Sequence, residues 1–235
     1  MKIRAFVVSS LIVLCLAFST LTFAADSAYL YIVHGIPGRD VASSADPTLP
    51  VDVLLNDDVC VERGATFGSV FGPLTLPPGQ YSLKISPANS FVPCSNSPLI
   101  DSSVALKAGG NMSAIAALDE NGQPAVLIFP NDFASLAEGK ARITLTNAGD
   151  APVLQVTLQS VTTKQKFTYT VNPGGRLVAA LPTDAYSIEV ESNGTVLIPP
   201  QILNLPSLSA TLIYAVGSAS NGSLGLVTKT VKDVL

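Results

Sequence analysis

The chain has no tryptophan, one histidine and three cysteines, and charged side chains make up only 13% of its 235 residues. Each scarcity removes a class of chemistry. One imidazole and the two thiols outside the N-terminal apolar run, Cys60 and Cys94, are too few for the four-ligand His/Cys sets that hold zinc. His34 is the only imidazole available to a Ser-His-Asp relay. The nucleophile elbow Gly-x-Ser-x-Gly is missing, and Ser69 in Phe67-Gly68-Ser69-Val70 does not match it. Gly109-Gly110 and Gly174-Gly175 lack the lysine and hydroxyl of a phosphate loop. The one basic cluster, Lys164-Gln165-Lys166, is too small for a nucleic-acid footprint. Calcium loops of regular spacing are absent. The 17 acidic residues form many pairs, but none is singled out for the acid and base of a glycosidase. Nothing in this pattern points to an enzyme, a metal or a cofactor.

What is present begins with an export signal. Met1-Lys2-Ile3-Arg4 is basic, Phe6 to Phe18 is mostly apolar, and Thr22-Phe23-Ala24 is a small-x-small cleavage sequence. Residues 1–24 are read as a signal peptide, with Ala25 as the mature start. A membrane anchor is the alternative, but the run lacks a charged stop on its far side. Lipidation at Cys15 would want a small residue where Leu14 stands. No later apolar run is long enough to span a bilayer. Removing Lys2 and Arg4 leaves 11 basic against 17 acidic residues, a net charge near −6. The expected location is secreted, periplasmic or at the cell surface. There Cys60 and Cys94 have one intramolecular connectivity, a disulfide; two free buried thiols are the alternative.

The rest of the chain alternates with period two and has no helical periodicity. Strands are expected at 28–33, 49–55, 59–61, 70–76, 80–86, 104–108, 112–118 and 125–129. After a stretch without alternation, 130–139, in which Asn131-Asp132 is a candidate cap for one helical turn, they resume at 141–146, 153–160, 166–171, 176–180, 186–190, 195–198, 208–216 and 224–230. Leu76-Pro77-Pro78-Gly79-Gln80-Tyr81 returns as Leu181-Pro182-Thr183-Asp184-Ala185-Tyr186. The reading is all-β: two tandem antiparallel β-sandwiches, immunoglobulin-like or transthyretin-like, at 25–130 and 140–235, joined by a linker at 131–139. A single shared core is the alternative.

Tyr31-Ile32-Val33-His34-Gly35-Ile36-Pro37-Gly38, Pro50-Val51-Asp52-Val53-Leu54-Leu55-Asn56-Asp57, Phe67-Gly68 and Leu76-Pro77-Pro78-Gly79-Gln80-Tyr81 together resemble the DUF4397 family, over about 28–129. The second half looks like a diverged copy, with Asn147 where His34 stood and Gln155 roughly where Asp52 stood. The resemblance implies a β-sandwich and an envelope location, and no reaction.

His34 is expected to end the first strand and tie the long 35–50 loop by hydrogen bonds. If the protein recognises a small ligand or glycan, His34, Asp40 and Asp52 at this elaborated end are the candidate binding residues. The expected function is structural or adhesive, with an envelope protein or polysaccharide as partner and without nucleic acid.

Overall fold

The computed structural model describes residues 27–119 and 121–232; the expected leader lies outside them. In chain order the elements are β1 (Ala28–His34), the helical turn α1 (Gly38–Val41), β2 (Val51–Leu55), β3 (Val59–Ala65), β4 (Val70–Leu76), β5 (Gly79–Pro87), β6 (Ile100–Leu106), β7 (Asn111–Leu118) and β8 (Pro124–Pro130). Then follow β9 (Lys140–Asn147), β10 (Leu154–Ser160), β11 (Lys166–Val171), β12 (Arg176–Pro182), β13 (Asp184–Ser192), β14 (Thr195–Leu205), β15 (Ser209–Val216) and β16 (Gly225–Val231). They form four four-stranded sheets: sheet I (β4-β1-β7-β8), sheet II (β3-β2-β5-β6), sheet III (β12-β9-β15-β16) and sheet IV (β11-β10-β13-β14). Adding eight to every strand number of sheets I and II gives sheets III and IV, so the duplication legible in the Leu-Pro turns extends to the whole topology.

Alternation accounts for each sandwich. Leu30 and Ile32 of β1, Val53 and Leu55 of β2 and Leu83 and Ile85 of β5 meet in one apolar core between sheets I and II. Ile143 and Leu145, Val156 and Leu158, and Ile188 and Val190 do the same between sheets III and IV. Tyr81 and Tyr186 stand at equivalent positions, and each hydroxyl donates to the carbonyl of the turn proline four residues back, Pro77 (2.6 Å) and Pro182 (2.8 Å). The Asn56-Asp57 and Asn193-Gly194 hairpins use the left-handed backbone that these residues tolerate.

The sheets are not purely antiparallel. β1 pairs with β7, and β9 with β15, in parallel. Strand alternation carries no information about direction, and the two strands of each parallel pair are separated in the chain by strands of both sheets, β2 to β6 and β10 to β14. The strand expected to stop at Ile198 instead continues to Leu205. The Val190↔Ile198 and Ile188↔Gln201 pairings leave Pro199-Pro200 in a bulge of an edge strand, where a missing N–H is tolerated.

A third apolar cluster joins the two halves. Tyr31 and Val33 of β1 and Ile115 and Ala117 of β7 point away from their own core and pack on Leu212, Tyr214 and Val216 of β15. Sheets II, I, III and IV therefore stack in four layers, with separate cores on either side of the central contact. Residues 131–139, expected as a plain linker, run across this contact as a pinned strap. Phe133 meets Tyr31 edge-on with ring centroids 6.2 Å apart, and Arg142 donates to the Ala134 carbonyl and pairs with Asp132 at 3.5 Å. No helical turn forms at Asn131-Asp132: Asp132 Oδ1 accepts the Ala134 N–H at 3.0 Å, a local turn that competes with helix. The helical turn falls instead at α1.

Candidate functional site

β1 delivers His34 to a buried corner. Its Nε2–H donates to the Leu49 carbonyl at 2.7 Å, and Nδ1 accepts the Ile36 N–H at 3.4 Å, so the neutral imidazole ties both ends of the 35–50 loop. Asn147 sits at the same register, opposite Ala215 as His34 is opposite Ala116, and its Nδ2 donates to the Pro152 carbonyl at 3.0 Å. The two halves thus close the same corner with different side chains.

Burial holds the His34 pKa below its ordinary value, against the opposing effect of the Leu49 carbonyl. The sign follows: the unfolded chain takes up a proton as pH falls through about 6.5, while the folded corner resists it. Stability is expected to fall below that pH. His34→Asn should flatten the change in urea midpoint between pH 7 and pH 5; an equally steep change in the variant would show that His34 is not responsible.

Asp40, on α1, reaches across to the second half. Oδ1 accepts from Asn221 Nδ2 at 3.0 Å and Oδ2 from Ser223 Oγ at 2.7 Å, and the Gly217 N–H donates to the Gly35 carbonyl at 3.1 Å. Gly38 is required beside it, since a Cβ there would lie 1.8 Å from the Asp46 carbonyl oxygen. Asp46 accepts from the Thr48 N–H and hydroxyl within its own turn.

Asp52 lies on the face of β2 opposite Val51, Val53 and Leu55, yet it is 1% exposed. Oδ1 accepts the Gly64 N–H at 2.9 Å, and Oδ2 accepts those of Asn89 at 3.0 Å and Cys94 at 2.8 Å. Burial opposes ionisation, but the Cys94, Asn89 and Gly64 donors and the Arg63 charge outweigh it and hold the carboxyl below the usual range. The Cys60–Cys94 disulfide (Cα–Cα 5.9 Å) fastens the same 88–98 loop. Asn89 Oδ1 accepts the Phe91 and Val92 N–H groups, and Phe91 stands 94% exposed at the tip. Gln155 does occupy the Asp52 register in the second half, opposite Glu191 as Asp52 is opposite Ser86, but it is exposed and holds no such loop.

His34, Asp40 and Asp52 therefore belong to three networks that share no hydrogen-bond partner. Among the described residues, no three His, Cys, Asp or Glu side chains gather as a metal site. Sequence reasoning missed a groove of about 810 Å³ where the strap crosses the starts of β1 and β7. Tyr29, Lys107, Asn111, Phe133 and Arg176 line it. Tyr29 is the one exposed residue of β1, and nothing in the sequence set it apart from buried Tyr31 two positions on.

The family model described as Domain of unknown function (DUF4397) matches residues 28–157. The chain belongs to the DUF4397 family. The DUF4397 match covers sheets I and II and runs through β9 into β10. No curated protein matches the chain. Among solved structures it is similar to a leucine-rich repeat protein from Bacteroides thetaiotaomicron at 10% identity, over 82% of this chain and 26% of that one, with a TM-score of 0.23. It is also similar to the Bacillus anthracis TIE protein at 14% identity, over 77% of this chain and 32% of that one, with a TM-score of 0.24. The chain thus spans a third or less of either structure, and neither likeness bears on what this DUF4397 protein does.

Proposed function

We propose that the protein is an exported, non-catalytic structural or adhesive element that works through contacts in the cell envelope or outside the cell. The observation that carries this reading is the use of its reactive side chains as ties: His34, Asp40 and Asp52 hold loops, and the faces of sheets I and III are joined. At about 10 Å between layers, the outer sheets stand roughly 30 Å apart as a stiff block. The disulfide supports an oxidising compartment. The 35–50 loop is held at both ends, which weighs against its use as a mobile ligand-binding loop.

Strand-to-strand polymerisation is disfavoured by the edges. Pro73, Pro124, Pro130, Pro182 and Pro199-Pro200 fall on edge strands β4, β8, β12 and β14, while β3, β6, β11 and β16 carry Glu62, Asp101, Lys166 and Lys229. Adhesion would then use side-chain surfaces. The four-plus-four strand division differs from the seven-stranded immunoglobulin plan and favours the transthyretin-like alternative, with the halves near 25–130 and 140–235 as its two units.

Fractionation of the native host tests the reading. The protein is expected in the envelope or extracellular fraction with Cys60 and Cys94 oxidised and Ala25 at its N-terminus. Recovery from the cytosol with both thiols free would sink it.

A further inference from the structure

We propose that the groove beneath the strap is a binding site for a carboxylate-bearing glycan, a chain of uronic acids. The inference rests on the adhesive reading above and gives it a ligand class.

The groove takes residues from both halves. Arg176, on β12, donates one N–H to the carbonyl of Pro130 across the contact and keeps its other donors for a ligand. Lys107 lies on the turn before β7, is exposed, and makes no ion pair among the described residues. The one carboxylate in the lining, Asp132, is paired with Arg142 outside it. A protein of net charge −4 therefore has a concavity with two uncompensated cations. The contrast with the other end of β7 is direct: a cleft of about 680 Å³ there is lined by Asp119 and Asp150 and by no lysine or arginine.

Polar groups in the groove are held in place from below. Buried Tyr214 and Ser113 share a hydroxyl–hydroxyl bond of 2.7 Å across the two halves. Ser113 Oγ donates to Asn131 Oδ1 at 2.9 Å, and Asn131 Nδ2 donates to Asn111 Oδ1 at 2.8 Å. Burial keeps the Tyr214 hydroxyl protonated by pushing its pKa up, against the Ser113 bond. The chain ends at Asn111, whose Nδ2 makes no hydrogen bond among the described residues. Tyr29, 38% exposed, supplies an aromatic face beside it. Cations for carboxylates, an oriented amide for hydroxyls and a ring face for a pyranose are the complement of a uronate chain. Such a pre-set site is expected to bind without rearrangement.

The test is calorimetric titration of the oxidised mature protein with polygalacturonate, dextran as a neutral glycan, and polyglutamate as the same charge on a peptide. Saturable binding of polygalacturonate is expected, weaker at higher salt, with dextran and polyglutamate at least about tenfold weaker. Lys107→Gln and Arg176→Gln should each weaken it on the order of tenfold. The Lys107 side chain is exposed and makes no hydrogen bond or ion pair among the described residues, so its variant keeps the test decisive if Arg176→Gln loosens the fold. Absence of saturable binding, equal binding of polyglutamate, or full affinity in Lys107→Gln would overturn the proposal. Envelope binding that survives both substitutions would overturn the groove while leaving the adhesive reading standing; cytosolic recovery would remove that reading by itself.

Discussion

Asp52→Ala is expected to destabilise the folded protein by about 3–5 kcal/mol, because it strips one buried acceptor group from three backbone N–H donors at once. The donors, on Gly64, Asn89 and Cys94, belong to two segments that have no ladder partner at those atoms. The disulfide fastens the same loop. Removing it as Cys60→Ala/Cys94→Ala reopens a span of 34 residues, an expected loss of about 3–4 kcal/mol in the chain-entropy description. Since both devices order the 88–98 loop, the triple variant should lose less than the sum of the two. Urea midpoints at pH 7 give all three values. Strict additivity, or a loss under about 1 kcal/mol for Asp52→Ala, would show that the carboxylate does not hold the loop. Chymotrypsin should cut after Phe91 much faster in the variant, although Phe91 is equally exposed in both, because cleavage needs a loop that can deform. The pH dependence has a definite sign. The native carboxyl is held below its ordinary value, so the part of its contribution that comes from ionisation is complete above about pH 4 and is lost as pH falls further. The gap between wild type and variant should narrow in acid.

The Asp52 network also marks the limit of what was legible in the sequence. Period-two patterns such as Tyr186-x-Ile188-x-Val190 translate directly into a sheet with one face in a core, and the strands they define lie close to their expected positions. The Leu-Pro turns announced the duplication, and the His34/Asn147 correspondence is visible in both sequence and register. The partners of Asp52 are backbone N–H groups up to 42 residues away, and a backbone donor leaves no mark in a sequence. The groove was hidden for the same reason, since it is assembled from a turn, a strap and Arg176 of the other half. The stacking of sheet I on sheet III did leave a mark. β1 reads Leu30-Tyr31-Ile32-Val33 and β15 reads Leu212-Ile213-Tyr214-Ala215-Val216, apolar on both faces, whereas β10 and β13 alternate. A strand that does not alternate is covered twice. Applied to these two strands, that rule leads to a buried contact between the halves.

Leu212→Asp is the sharpest probe of that contact. Leu212 is fully buried and faces Tyr31, Val33 and Ile115 across the central layer, while its neighbours Thr211 and Ile213 point into sheet III's own core side. The substitution removes about 2–5 kcal/mol of packing and leaves a carboxylate with no cation among the cluster. Desolvation there is too costly to bear in place, so the halves are expected to part rather than bury the charge. The core between sheets I and II and that between sheets III and IV contain no Leu212, so each sandwich should persist. Unfolding by urea, expected as a single transition in the wild type, should then split into two. The radius of gyration from small-angle scattering should rise as the four-layer block opens about the strap. Tyr214→Phe makes a graded companion: it keeps the packing, removes the bond to Ser113, and should weaken the contact by only about 1 kcal/mol. If Leu212→Asp unfolds in one step with an unchanged radius, the two sandwiches are one cooperative unit whose stability does not depend on this layer. If it splits as expected, the rigidity that presents Arg176 and Lys107 to one groove comes from an apolar contact that neither half would need for its own fold.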